Sequence, residues 1–500
     1  MARRSAQIVR VLRWLTLTGS LCVALGVPVW QLARAAVVGD GVMGSGLPGW
    51  VVSALGGMEP TVVGAPFSVR VWGWEVLDPL GGLGVAAAGE VGWGVLLAAL
   101  PAVVLVAVLG RFFCGWLCPY VPILAVSHGV RRALARRGWS APDVRLPSSQ
   151  AVLVLLAVLG LTAVLGSQVA PLIYPPSLVG RELFRVIFQG GYGVGLVGLA
   201  GAFVFDTFVS RSGFCRTVCP GGALFRVLGA LSPVTVRREA SACTDCGVCD
   251  RVCGLGQSPM TDLVGAGCER CGACVASCPT DALELGVGRR PSLLVEVERA
   301  RRGEQPEERW IPSRRAFLAT LGVTVAGGVA FWAGPGRGAG LRPPGASGGG
   351  AFEGRCIRCF RCAEVCPVGA IRFEGGLDLA GVDTPVIDAE RQACVLCMAC
   401  TQVCPTGALE PVSAELAVIA SRVRMGVPRL EVGRCIAWSG RGECRACWHA
   451  CPYPELAVRF VGSGPSGPEF DGSACVGCGQ CQQACPDRAR AIIIVPQERV

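Results

Sequence analysis

Cysteine is the residue whose type and spacing promise chemistry in this chain, and it recurs as a ladder from Cys243 to Cys485. Cys243, Cys246, Cys249 and Cys253 follow the pattern C-x2-C-x2-C-x3-C. The same pattern returns at Cys268, Cys271, Cys274 and Cys278, at Cys356, Cys359, Cys362 and Cys366, at Cys394, Cys397, Cys400 and Cys404, and at Cys475, Cys478, Cys481 and Cys485. A sixth quartet, Cys435, Cys444, Cys447 and Cys451, stretches the first gap to eight residues and keeps the rest. A loop this tight turns three thiolates toward one iron-sulfur cluster while the fourth cysteine reaches a neighbouring one, so quartets work in pairs. Structural zinc shares the C-x2-C dipeptide and is the rival reading, with disulfides behind it. Pro279, Pro367, Pro405, Pro452 and Pro486 each follow a fourth cysteine, with Gly254 the exception, and that run is a poor zinc pattern. Six [4Fe-4S] clusters are expected.

A second motif occurs twice upstream. Cys114 to Pro119 reads CGWLCP and Cys215 to Pro220 reads CRTVCP, both C-x3-C-P. Positions i and i+4 of a helix share a face, so each pair can point two thiolates at one site, and the two pairs together supply four ligands. Small thiols that merely pack are the bland alternative. The repetition favours a redox or metal site at Cys114, Cys118, Cys215 and Cys219, with the choice between those roles open.

Composition bounds what these residues can serve. The 500 residues are 52% hydrophobic, with 29 cysteines and a net charge of +10, and mean hydropathy is +0.51. That is too apolar for an ordinary soluble protein and too long for one domain. The chain contains neither lysine nor asparagine. Its arginines gather beside apolar runs, which speaks for membrane orientation rather than nucleic-acid binding. The two histidines are His128 and His449, and CRACWH at Cys444 misses the haem attachment motif by one residue.

The elements that must position the cysteines are read as membrane spans. Uncharged runs at Trp14 to Ala33, Val91 to Gly110, Ala151 to Tyr174 and Val186 to Phe205 give four spans of bilayer length, with lone Cys22 as packing in the first. A cleaved signal peptide is the rival for the first run. The loop with Asp40, Glu59, Glu75, Asp78 and Glu90 is acidic and reads as outside. Loops with Arg111, Arg131, Arg132, Arg136, Arg137 and Arg145, and with Arg211, Arg216, Arg226, Arg237 and Arg238, read as cytoplasmic. Arg181, Glu182 and Arg185 run mildly against that topology. Ser313 to Leu318 reads SRRAFL ahead of an uncharged run from Ala316 to Ala333, which resembles a twin-arginine signal. An uncleaved fifth span is favoured, with cleavage near Ala339 as the rival. Export of a folded, metal-loaded domain fits such a signal.

The four spans, both C-x3-C-P motifs and the following ferredoxin pair resemble the NapH/MauN family of membrane iron-sulfur proteins over roughly residues 1 to 285. The resemblance implies quinol oxidation on behalf of periplasmic reductases and dehydrogenases, with quinone as a further cofactor. Asp206 and His128 are candidate proton acceptors beside the bland reading of solvated residues. Downstream, LRPPGA from Leu341 and the quartets from Cys356, Cys394 and Cys435 resemble the NapG/MauM family of four-cluster ferredoxin-type proteins over about residues 313 to 495. The stretched quartet belongs to that likeness. The two families are usually separate chains and are joined here.

The expected fold class is therefore multidomain: an α-helical membrane part of four spans plus a fifth, with α+β ferredoxin-like 2[4Fe-4S] modules. Residues 1–240 form the membrane domain, 241–285 a cytoplasmic ferredoxin module and 286–312 a charged linker. The twin-arginine-like segment is 313–334, a Gly/Pro linker 335–351, and the four-cluster domain 352–500. The ferredoxin rule joins Cys243, Cys246 and Cys249 to Cys278, and Cys268, Cys271 and Cys274 to Cys253. It joins Cys356, Cys359 and Cys362 to Cys404, Cys394, Cys397 and Cys400 to Cys366, Cys435, Cys444 and Cys447 to Cys485, and Cys475, Cys478 and Cys481 to Cys451.

The expected function is a quinol dehydrogenase component or electron-transfer subunit of the bacterial inner membrane, N-terminus in the cytoplasm and four-cluster domain in the periplasm. Its partners are the quinol pool and a periplasmic cytochrome or reductase, nitrate reductase foremost, with no nucleic acid. The alternative is a maturation or metal-reducing factor for a periplasmic metalloenzyme, and a third reading makes the clusters inert staples. No dinucleotide fingerprint, nucleophile elbow or P-loop is found.

Overall fold

The structure is a computed structural model that describes residues 62–65, 68–71, 74–90, 92–144, 149–261, 264–287, 340–348, 350–375, 381–462, 466–486 and 491–497, with isolated positions between 11 and 18 and at 318 and 322. It divides into two units, one of Met1–Leu165 with Val169–Trp332 and one of Gly166–Gln168 with Ala333–Val500. Apart from those isolated positions, the expected first span with Cys22, the twin-arginine-like segment and the fifth run lie outside the described residues.

The first unit opens with the antiparallel strands β1 (Val62–Ala65), β2 (Ser68–Val71) and β3 (Trp74–Leu77). Helices α1 (Pro79–Ala87), α2 (Trp93–Leu109), α3 (Phe112–Trp116), α4 (Val121–Arg136), α5 (Ser149–Leu165), α6 (Pro175–Phe184), α7 (Val194–Phe208) and α8 (Pro220–Leu228) follow. The expected membrane fold is corrected here: among the described residues no helix is long and apolar enough to cross a membrane. Glycine is the physical reason. The second run stops after 17 residues at Gly110, whose φ of 69° only glycine adopts without strain. The third stops after 17 residues, before Gly166 at φ 60°. The fourth is cut by a π-helical turn, Arg185–Gln189, and by Gly190 at φ 63°, leaving the 15 residues of α7.

Charges counted as loop markers turn out to be interior. Asp78 caps α1 by accepting from the Leu80 amide at 2.8 Å, and Tyr174 donates to its other oxygen at 2.8 Å. Arg181 is buried and donates to the Pro171 carbonyl at 2.7 Å. Glu182 accepts from the Gly193 amide at 2.7 Å and stands 3.9 Å from Arg185. These residues satisfy broken helix ends, which a charge count along the sequence cannot reveal.

The unit ends in a small lobe closed by β4 (Val234–Arg238) and β5 (Leu283–Val287), antiparallel from Val234 opposite Val287 to Arg238 opposite Leu283. Between them lie the one-turn helices α9 (Val248–Val252) and α10 (Ala273–Ser277). The lobe's core is Val236, Cys249, Val264, Cys274, Val275 and Leu283, so thiols fill part of the space that larger apolar side chains take elsewhere.

The second unit holds two such lobes. The first carries α11 (Ala351–Arg355), α12 (Arg361–Glu364), the β6 (Ile371–Phe373) and β7 (Pro385–Ile387) pair and α13 (Ala399–Gln402). Arg342 of the LRPPGA motif anchors it, 2.9 Å from Glu353 and 3.3 Å from Glu374. Helix α14 (Leu416–Arg422) leads to the second lobe, closed by β8 (Gly426–Leu430) against β11 (Ile492–Pro496). Inside lie α15 (Ala446–Ala450), the β9 (Val458–Val461) and β10 (Gly467–Phe470) pair and α16 (Gln480–Ala484).

Burial pushes the Asp78 carboxyl up to about 6, against the opposing pull of Tyr174 and backbone amides. A folded value above the unfolded one stabilises fully below pH 4 and is lost as pH rises through 6. Asp78→Asn keeps the cap without the charge, so it should raise stability at pH 7 by up to about 3 kcal/mol and flatten the dependence between pH 4 and 6, as read by thermal melts across that range.

Candidate functional site

The five regular quartets share one local device. The residues flanking the second cysteine take left-handed backbone: Asp245 and Gly247, Arg270 and Gly272, Arg358 and Phe360, Leu396 and Met398, Gly477 and Gly479. Two left-handed residues two positions apart coil the chain so that three thiols face inward, and the one-turn helix that follows carries the third cysteine. Asp245, Arg270, Arg358, Phe360, Leu396 and Met398 hold this conformation without being glycine, which costs roughly 1–2 kcal/mol each. In the stretched quartet Arg445 has φ −129°, so the longer loop reaches the same end by another path.

Four cavities show which thiols gather. Cys243, Cys246, Cys249 and Cys278 line one. Cys356, Cys359, Cys362 and Cys404 line another. Cys435, Cys444, Cys447 and Cys485 line a third, and Cys451, Cys475, Cys478 and Cys481 a fourth. Each mixes three cysteines of one quartet with the fourth of its pair. The remaining two sets meet electrostatically: burial first, then Cys268 and Cys253, push Cys274 up to about 12. Cys400 is likewise raised by burial, then by Cys394, Cys397 and Cys366.

Among the described residues no three His, Cys, Asp or Glu converge tightly enough for a metal ion. The cradles, three cysteines of one quartet with the fourth of its pair, have the donor set that a [4Fe-4S] cluster takes. Backbone amides already aim at the sulfurs: Arg270 at Cys268, Leu396 at Cys394 and Gly477 at Cys475, each 3.4 Å. Such bonds favour the ionised thiolate and tune cluster potentials.

The C-x3-C-P motifs sit in repeated surroundings. An apolar helix (α2 or α7), a short turn holding the first cysteine (α3 or the π-helical Phe214–Val218), and a helix beginning at or beside proline occur twice. Cys219 caps α8, its sulfur accepting from the Gly222 amide at 3.3 Å. Burial pushes Cys219 up to about 12, with Cys114 adding to it and Arg111 opposing. Cys118 is raised by burial, then by Cys114 and Cys219. Two buried pairs flank these thiols. Tyr120, next to Pro119, donates to Asp206 at 2.9 Å, and Asp206 accepts from the Phe214 amide at 2.9 Å. The Tyr174 ring lies where a Cβ on Gly221 would go, with Tyr174 held by Asp78. Asp206 is fully buried, not the solvated helix end that was the bland reading. His128 meets Ser212 at 3.1 Å.

Sequence reasoning missed the residues that join this site to the small lobe. Arg111, counted as a loop charge, is 3% exposed and donates to the Gly267 carbonyl at 3.0 Å and the Cys215 carbonyl at 3.4 Å. Trp116 donates to the Arg270 carbonyl at 2.9 Å. A Cβ on Gly115 would stand 2.8 Å from the Glu269 carbonyl and 3.0 Å from the Cys271 Cβ. The only signal was the glycine and tryptophan inside CGWLCP. The first C-x3-C-P motif thus abuts the loop of Cys268 and Cys271.

Cysteine cradles of this kind, backed by amides and closed by strand pairs, define a ferredoxin-type iron-sulfur electron-transfer protein. A 4Fe-4S dicluster domain model matches residues 355–408, and 4Fe-4S binding domain models match 91–139 and 193–238, 268–282, and 468–490. Ferredoxin-type protein NapH of Escherichia coli is 31% identical over 220 residues, 42% of this chain and 74% of the relative. Methylamine utilization ferredoxin-type protein MauN of Methylorubrum extorquens is 34% identical over 181 residues, 35% of this chain and 59% of the relative. MauM of Methylobacillus flagellatus, a methylamine utilization ferredoxin-type protein, is 31% identical over 207 residues, 39% of this chain and 86% of the relative. The chain belongs to the NapH/MauN family of ferredoxin-type proteins, fused to a ferredoxin-type part of the MauM kind. No solved structure matches.

Gly115→Val should loosen the lobe from α3 at a cost of about 1–3 kcal/mol. Hydrogen exchange across residues 267–274 should accelerate while exchange in β4 and β5 holds.

Proposed function

We propose that the chain is an electron conduit that takes electrons from quinol at the bacterial inner membrane and delivers them to a periplasmic redox partner, a cytochrome or reductase. The observation that carries this reading is the crossed composition of the cavities, three cysteines from one quartet and one from its pair. Six [4Fe-4S] clusters would be held by Cys243, Cys246, Cys249 and Cys278; Cys268, Cys271, Cys274 and Cys253; Cys356, Cys359, Cys362 and Cys404; Cys394, Cys397, Cys400 and Cys366; Cys435, Cys444, Cys447 and Cys485; and Cys475, Cys478, Cys481 and Cys451. Bound there, they supply one-electron carriers whose potentials are set by amide bonds and exposure.

The C-x3-C-P thiols are the site where quinol meets the chain. Support comes from their contact with the Cys268 loop and from the buried Tyr120–Asp206 and Tyr174–Asp78 pairs, which place carboxylates to receive the protons that quinol oxidation releases. Exposed apolar side chains on α2 and α7, Trp93 at 83% and Val197 at 75%, offer contact with lipid. Methylamine utilization, printed in the names of the MauN and MauM relatives, is one destination for the electrons, and nitrate reduction, implied by the NapH likeness, is the other.

Anaerobic purification followed by iron counting and a quinol titration tests this. About 24 iron atoms per chain, with visible bleaching on addition of quinol, is the expected result, and Cys478→Ala should remove about four of them. Zinc in the cradles would end the reading. Copper binding or thiol activity at Cys114 and Cys215 with no response to quinol would instead favour a factor that reduces or supplies a metal centre.

A further inference from the structure

The two lobes of the second unit meet at their cysteines. The Cys394 amide donates to the Cys478 carbonyl at 3.0 Å. Gln480 donates through Nε2 to the Cys394 carbonyl at 3.0 Å, so both backbone groups of Cys394 are held by the other lobe. One turn on, Gln483 accepts from the Ala393 amide at 3.0 Å and donates to the Arg391 carbonyl at 3.4 Å. The fit leaves no slack: a Cβ on Gly479 would stand 2.5 Å from the Ala389 Cβ. Gly479 has φ 83°, so glycine is required there on both counts.

These contacts join one cysteine set from each lobe. Cys394 belongs with Cys366, Cys397 and Cys400, and Cys478 lines the cavity of Cys451, Cys475 and Cys481. Within each lobe the sets are joined covalently: α12 runs between Cys362 and Cys366, and α13 between Cys400 and Cys404. In the second lobe α15 joins Cys447 to Cys451 and α16 joins Cys481 to Cys485. Short covalent turns inside each lobe, and a patch of hydrogen bonds between lobes that centres on Cys394 and Cys478, leave a single order.

Resting on the iron-sulfur reading of these cysteines, the geometry points to an unbranched line in which the Cys394 and Cys475 sets are inner, the Cys356 and Cys435 sets are the two ends, and the Cys394–Cys478 peptide contact is the joint. Gln480 and Gln483 are positioning residues whose side chains hold the joint; neither lines any of the four cavities described above. The process it serves moves one electron at a time, one set losing what the next gains, with no bond made or broken. The stretched quartet from Cys435 accordingly stands at an end, where its extra loop, Ser439 to Glu443, is exposed.

The test uses the full chain, purified without oxygen, its iron counted, with single electrons injected by a radiolytic pulse and their redistribution followed spectrally. Gln480→Leu with Gln483→Leu should leave iron content unchanged and slow exchange between lobes roughly tenfold, the scale of lost outer-shell support. Gln483→Glu keeps the acceptor for the Ala393 amide and should restore most of the rate. Cys444→Ala, at an end, should leave exchange among the remaining sets intact, whereas Cys397→Ala, inside, should sever it. Retained iron with unchanged exchange in the double variant, or an end variant that cuts as deeply as the inner one, overturns the order alone. A wild-type chain without iron overturns both the order and the reading beneath it.

Discussion

A buried thiol resists ionisation, and this chain buries thiols where small domains ordinarily place their largest apolar groups. Cys249 and Cys274 sit in the core of the lobe between β4 and β5, and Cys435 in that of the last lobe. Desolvation pushes Cys274, Cys447 and Cys478 each up to about 12. Only a strongly bound cation makes thiolates favourable in such surroundings, so ligand chemistry and folding are one equilibrium in these lobes. The left-handed residues around the second cysteine of each regular quartet add backbone cost, which the same binding must offset.

The helical body answers a different demand, that of holding two C-x3-C-P motifs face to face. Its helices are short because glycines at 110 and 190 turn the chain, and the freed backbone groups are met by Arg181, Glu182 and Asp78 from within. Arg111, desolvated, ties the motifs together and both to the Cys268 loop through the Gly267 and Cys215 carbonyls. Cation, thiols and two Tyr–Asp pairs therefore share one interior, where each charge is felt strongly.

What was legible in the sequence followed from locality. A quartet spans eleven residues, and its spacing alone dictates the coil that gathers three thiols. The crossing of fourth cysteines also follows from pattern, because the fourth residue lies beyond a one-turn helix that points it away. The helical body was misread, since an uncharged run has the same appearance whether it continues or turns at a glycine. Gly110 and Gly190 decide that question through φ, which composition does not report. Arg111 and Asp78 were counted as loop charges, and Asp206 stood between a proton acceptor and a solvated residue, because their partners are remote in sequence: Arg111 meets Gly267, and Asp206 meets Tyr120. Gln480 and Gln483 gave no signal at all, their targets being peptide groups of another lobe.

The pairing of β8 with β11 has a consequence for how such chains are assembled. The strand that enters the last lobe and the strand that leaves it lie side by side, from Gly426 opposite Pro496 to Leu430 opposite Ile492. A body whose entrance and exit coincide can be spliced into almost any surface turn without prising its host apart. The lobe between β4 and β5 is closed the same way. Carrier number is thus an adjustable quantity in this architecture, changed by inserting or deleting cassettes while the flanking backbone stays put.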